Sequence, residues 1–292
     1  MDEEIYENEE IVDELIKCSL DEALKYCIDC FKETSRLEFL LFTGKVYLYM
    51  EDYINAISYV DMAFQLGCDY FTYGNTVKGE AYYNLGMYKE SKECFNKVIN
   101  ENPENFNITT YIIDIDIIEG KYEDAINLAV DFIEVYGFNK EEVAELKALI
   151  GWLYLDVLFD EKLAKEAFEE AIDDDDKCYS AYSGLGYYNL YNKRFREAII
   201  YFDNAIKSNT EDEISYLGLA LTYKELEEYD YIEKNLLQAN IINPSNVKIL
   251  IEYGYEMLRQ DRIQEAIEIF NSVLEINPND KEIKELVKEL NY

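Results

Sequence analysis

A step of 34 residues along this chain keeps returning to the same residue types. From Ala198 it lands on Ile232 and then Ala266; from Phe202, on Leu236 and Phe270; from Ala205, on Ala239 and Val273. Upstream, Tyr182, Leu185 and Gly186 step to Tyr216, Leu219 and Ala220, then to Leu250, Tyr253 and Gly254. The three prolines each close a unit in one phrase: Asn102-Pro103, Asn243-Pro244 and Asn277-Pro278. A fixed period with matched small, large and terminating positions marks a repeat array. Each unit of such an array leaves an apolar face in water until a neighbour stacks on it.

The order aromatic-x-x-Leu-Gly, then Ala, an aromatic and Ala is carried here by Tyr182, Leu185, Gly186, Ala198, Phe202 and Ala205. It resembles the tetratricopeptide repeat, a helix–turn–helix unit of the same period. The resemblance covers nearly the whole chain, in units at about 37–71, 72–105, 106–143, 144–178, 179–212, 213–246 and 247–280. A more degenerate unit occupies about 4–36, and the stretch 281–292 reads as a closing helix, with Ile283, Leu286, Val287 and Leu290 on one face. What the resemblance implies is an all-α, right-handed superhelical solenoid of about eight repeats, folded as a single domain. Two units depart from the pattern. Unit 106–143 has Ile113 where others carry Gly and ends in extra residues, and unit 144–178 is one residue long, so a bend or widened gap is expected there.

Composition removes several function classes. The formal charge is −35, and a polyanion repels phosphate backbones and anionic lipid surfaces alike. Direct nucleic-acid and membrane binding are therefore not expected, whereas a basic partner would be attracted. The opening MDEEIYENEE lacks the basic start and apolar run of a secretory signal, and no apolar stretch reaches the length of a membrane span. A cytoplasmic location with six reduced cysteines is the expectation.

No residue group stands out as catalytic. The chain has no histidine, which removes the commonest general base and metal ligand. Cys27 and Cys30 form a CxxC, but they fall in the repeat's core slots and have no second pair to complete a zinc site. The run Asp173 to Lys177 lacks the central Gly and distal Glu of a calcium loop and reads as a solvated turn. Gly184-x-Gly186 belongs to no dinucleotide fingerprint, since Asn189 holds the last glycine's place and no strand precedes it. No enzyme activity, cofactor or metal is expected.

The resemblance places the exposed faces of the first helices on an inner wall, where segments of partner proteins bind. In this sequence that wall comprises Phe42, Lys45, Tyr49, Tyr73, Glu80 and Tyr83, then Tyr111, Asp114, Trp152 and Asp156, then Tyr187, Tyr191, Leu217, Tyr255 and Arg259. Tyr229 is assigned to the core instead. Aromatic rings supply contact area at low entropic cost, and the only Trp, Trp152, is the strongest single candidate. Some members of the family grip an acidic C-terminus with clustered Lys, Arg and Asn. Here the cations are scattered among Glu80, Asp114 and Asp156. The expected function is a non-catalytic scaffold that binds a basic or amphipathic segment in this wall. The alternative is an acidic regulator that meets a basic partner through its outer surface, as a nucleic-acid mimic.

Overall fold

The structure is a computed structural model that describes residues 3–291. All regular structure among these residues is helical. Helices run α1 (Glu3–Cys18), α2 (Leu20–Thr34), α3 (Glu38–Tyr49), α4 (Tyr53–Gln65), α5 (Phe71–Asn84), α6 (Tyr88–Glu101), α7 (Phe106–Ile118) and α8 (Tyr122–Tyr136). They continue as α9 (Lys140–Asp156), α10 (Glu161–Asp174), α11 (Tyr179–Tyr191), α12 (Phe195–Ser208), α13 (Glu213–Glu225), α14 (Ile232–Ile242), α15 (Val247–Arg259), α16 (Ile263–Ile276) and α17 (Lys281–Leu290). The chain divides between Phe132 and Ile133 into two compact units. The first holds α1 to α7 and most of α8; the second holds α9 to α17.

Helix starts follow from local chemistry. Asp52, Asn105, Asp160 and Asp280 each accept a hydrogen bond from the backbone N–H three residues on, satisfying a donor that the first turn leaves open. The turn inside each pair needs one residue in the left-handed region. Gly86 and Gly120 supply it at φ 71° and 74°, whereas Glu51 in the first unit and Lys193, Glu227 and Asp261 in the second do so at 57° to 61°.

Packing within a pair rests on a large side chain of the second helix meeting a small one of the first. A Cβ built on Gly79 would lie 2.3 Å from the Phe95 ring, on Gly186 2.4 Å from Phe202, and on Gly254 2.5 Å from Phe270. Only glycine lets the helices approach this closely. Gly184-Leu185-Gly186 is thus two slots rather than one. Gly186 seats Phe202 of its own pair, while a Cβ on Gly184 would lie 2.2 Å from Phe168 of the preceding pair. Phe168 and Phe202 are fully buried, each wedged between glycines of two different first helices. Where the second helix carries a smaller residue, the first tolerates a larger one: Ala220 faces the slot of Leu236, and Ile113 stands sixteen residues before Ala129. Both Ile113 and Ala129 are wholly buried, so the departure at Ile113 is an exchange of large and small across the pair.

Candidate functional site

In the first unit, α3 and α5 with the acidic helix α1 line a cavity of about 430 Å³. Its walls are Glu9, Lys45, Leu48, Tyr49, Thr72, Tyr73, Thr76, Val77 and Glu80. Lys45 enters from α3 but is already engaged: its Nζ lies 2.7 Å from Asp13 and 3.3 Å from Glu9, both on α1. Burial opposes its charge and these two carboxylates more than restore it, so its pKa is raised. Glu80 takes part in no ion pair among the described residues, and burial raises its pKa, with Lys45 only partly countering. The Tyr73 ring packs edge-on against Phe42 at 5.6 Å and under the Lys45 ammonium at 5.7 Å. Its hydroxyl oxygen is closed off from solvent and makes no hydrogen bond among the described residues. Burial first, then Glu9 and Asp13, hold the Tyr73 pKa well above the ordinary phenol value. Tyr49 stands at the edge with 55% of its surface exposed.

Tyr83, Tyr111 and Asp114 form a second cluster in the first unit. Tyr111 stacks on Phe95 at 5.0 Å and meets Tyr83 edge-on at 5.1 Å. Burial, then the charge of Glu80, pushes the Tyr111 hydroxyl up to about 12. Among the described residues Asp114 has no cation partner, and burial raises its pKa.

The second unit has two smaller cavities, of about 230 Å³ and about 200 Å³. Trp152, Asp156, Tyr187, Tyr191 and Lys248 line the larger. Trp152 is half-buried, and its indole N–H donates to the Ser180 carbonyl and hydroxyl at 3.2 and 3.1 Å. Tyr187, expected on the open wall, is only 3% exposed. Its ring lies between Trp152 and Phe202, at 5.6 and 5.2 Å, and its hydroxyl donates to the Ile214 carbonyl of α13. The following pair covers it, which the 34-residue pattern cannot reveal, because that pattern gives a residue's slot and not the reach of its neighbours. Phe42 and Leu217 are buried for the same reason. Burial raises the Asp156 pKa, while Lys248 and a hydrogen bond from Tyr191 counter it.

The smaller cavity is lined by Lys224, Glu252, Tyr255, Glu256 and Arg259 among others. Its charges are paired: Lys224 with Glu252 at 2.9 Å, and Arg259 with Glu256 through two hydrogen bonds of 2.8 and 2.6 Å. Tyr255 is partly exposed and packs edge-on against Phe270 at 5.4 Å. Tyr229, assigned to the core from sequence, is instead exposed, with the Arg259 guanidinium over its ring at 4.2 Å. A short 3₁₀ turn at Tyr229–Tyr231 precedes α14, and Ile263, which holds the same slot 34 residues on, is exposed as well.

The expected sites therefore separate. Tyr49, Tyr73 and Glu80 share one cavity, and Tyr83, Tyr111 and Asp114 form one aromatic–acid cluster. Trp152, Asp156, Tyr187 and Tyr191 share a cavity of the second unit, whereas Tyr255 lines the other one. Sequence reasoning missed Glu9 and Asp13, which lie in the most degenerate unit. The only signal for them was the acidic run of the first helix, one among many acidic runs in this chain. Of the two CxxC cysteines, Cys27 is buried, with its thiol pushed up to about 12 by burial, and Cys30 is half-buried.

Comparison with known proteins agrees with this architecture. Family models described as the tetratricopeptide repeat match residues 75–105, 162–213 and 247–280. The small glutamine-rich tetratricopeptide repeat-containing protein 2 of Saccharomyces cerevisiae is 28% identical over 169 residues, covering 52% of this chain and 49% of that protein. The chain spans about half the length of that curated relative. Among solved structures, yeast Tom70 is similar with a TM-score of 0.71 at 12% identity, over 93% of this chain and 58% of that one. A tetratricopeptide repeat protein from Parabacteroides merdae is similar with a TM-score of 0.66 at 18% identity, over 88% of this chain and 99% of that one. At these identities the structural likeness concerns the fold. No helix among the described residues is long and apolar enough to cross a membrane.

Proposed function

We propose that this chain, which is similar to tetratricopeptide-repeat proteins, shares their general role as protein-interaction scaffolds and is a non-catalytic scaffold for a basic or amphipathic protein segment. The observation that carries this reading is the state of three carboxylates on first helices. Glu80, Asp114 and Asp156 form no ion pair among the described residues, and burial holds the pKa of each above its ordinary value. A carboxylate in this condition is stabilised by an arriving cation, because the pair regains part of what desolvation removed. Exposed tyrosines stand beside them: Tyr49 shares the cavity of Glu80, and Tyr191 that of Asp156. Their rings offer contact area and, with Lys or Arg, cation–π attraction.

The cations of these faces point the same way. Lys45 is taken up by Glu9 and Asp13, Lys224 by Glu252 and Arg259 by Glu256. Of the cations lining the three cavities, Lys248 alone forms no ion pair among the described residues, and it lies over the Tyr187 ring at 5.7 Å.

The test is a pull-down with the full chain and with a variant combining Glu80→Gln, Asp114→Asn and Asp156→Asn, washed at about 50 and about 300 mM salt. Bound proteins are identified by mass spectrometry. Loss of a basic partner from the variant supports the reading. A partner that ignores the three substitutions and leaves with salt moves the interaction to the acidic exterior and overturns it.

A further inference from the structure

We propose that the cavity between α1, α3 and α5 is a socket for a single lysine side chain of the partner; this rests on the basic-segment reading and assigns its anchor point. The polar capacity left unspent inside the cavity belongs almost entirely to acceptors. The Thr76 hydroxyl gives its proton to the Thr72 carbonyl at 3.0 Å, and the Thr72 hydroxyl gives its own to Glu101. Both oxygens keep lone pairs. Glu80 is acceptor-only and has no ion-pair partner among the described residues. Lys45, the one cation of the lining, is held by Glu9 and Asp13, which outnumber it.

The Tyr73 hydroxyl supplies an independent sign of a missing ligand. A buried hydroxyl without a hydrogen-bond partner is unfavourable, and native proteins rarely leave one so. This hydroxyl sits in a residue that lines the cavity, under the influence of Glu9 and Asp13. Its oxygen has unused lone pairs for a donor that reaches it from the cavity side, and its own O–H also lacks an acceptor. An acceptor-rich cavity of net negative charge selects a group made only of donors. Lysine's ammonium has three donors and no acceptor and can share them among Glu80 and separate hydroxyls, whereas an arginine fork spends two of its donors on the two oxygens of one carboxylate. Leu48 and Val77 give apolar wall for the lysine stem, which packs well on such surface while its head seeks charge.

The experiment titrates the full chain with a synthetic oligolysine peptide and with the same peptide acetylated on every side-chain amine, at low salt. The chain is used as wild type, as Glu80→Gln, as Tyr73→Phe, and as Glu93→Gln, which removes the same charge from the exposed outer side of α6. Glu80→Gln is expected to weaken oligolysine binding about tenfold or more. Tyr73→Phe is expected to weaken it about threefold while raising the melting temperature, because it deletes an unsatisfied polar atom and keeps the ring. Glu93→Gln should stay within about twofold of wild type. Weaker binding alongside higher stability is something a merely structural Tyr73 would not produce. If oligolysine binds but Glu80→Gln and Tyr73→Phe match Glu93→Gln, the socket is wrong and the basic-segment reading stands. If oligolysine binds no better than its acetylated form, both are wrong.

Discussion

The first unit's cavity and the second unit's larger cavity are built from the same first-helix positions, yet they leave their polar groups in opposite conditions. Around Trp152 the neutral groups have internal partners, the indole N–H with Ser180 and the Tyr187 hydroxyl with Ile214. Asp156, though in no ion pair among the described residues, has Tyr191 and the charge of Lys248 to counter part of its burial. Around Tyr73, Lys45 and the Thr72 and Thr76 hydroxyls have internal partners, whereas Glu80 has no ion pair and the Tyr73 hydroxyl no hydrogen bond among the described residues. A repeated scaffold thus repeats the slots but not the satisfaction of what fills them. Large aromatic surface marks where a unit is cemented as readily as where it binds.

The strongest test of that contrast is Trp152→Ala. If Trp152 is cement, the substitution removes the contacts to Phe168 and Tyr187 and costs about 3–5 kcal/mol of stability, read as a lower denaturant midpoint. A variant that binds less but unfolds where wild type does would reverse the assignment. The combination of Trp152→Ala with Tyr187→Ala is unsuited to measuring binding, since Tyr187 is buried against Phe202.

Gly184→Ala probes the same cement with one methyl group. The new Cβ would meet the Phe168 ring at 2.2 Å, so two repeats must part or the ring must leave its rotamer, at about 1–3 kcal/mol. Thermal unfolding measures this, and an unchanged melting temperature would mean that the pairs are not close-packed there.

A third prediction uses pH. Glu80 and Asp114 have raised pKa values in the fold. Between the ordinary carboxylate value and the raised one, the folded chain binds more protons than the unfolded chain, so stability rises as pH falls through that window. Wild type is expected to melt higher at about pH 5.5 than at about pH 7.5. The general relief of negative charge acts in the same direction, but a Glu80→Gln/Asp114→Asn variant isolates the local part by gaining less. Equal gains would show that the two carboxylates are not strained.

The smallest effect compares one turn slot in the two units. Lys193→Gly removes the penalty of a left-handed side-chain residue in the second unit and is expected to stabilise by about 0.5–1 kcal/mol. Gly86→Ala in the first unit should cost about the same. Equal signs in melting temperature would contradict the shared turn geometry.

The helical pairing, the 34-residue period and the inward path of Phe202 and Phe270 were legible in the linear chain, because they depend on residue size and spacing that recur within one unit. So was the place of Gly184 inside a first helix, although its packing against Phe168 was not. The wall was only partly legible. Tyr49, Glu80 and Tyr191 stand in lined cavities, but Phe42, Tyr187 and Leu217 are closed over, and Tyr229 turns out instead of in.

The sequence by itself determined the repeat, its helices and the small-against-large fit inside each pair, since those are local and repeat at fixed intervals. Tertiary structure alone decided which acid meets which cation, which ring the next pair covers, and which hydroxyl is left without a partner. The physical reason is that a slot's packing is set by neighbours within about one period, whereas hydrogen bonds and ion pairs such as Lys45 with Asp13 depend on distances of a few ångströms between separate helices. No periodic pattern encodes distances of that kind.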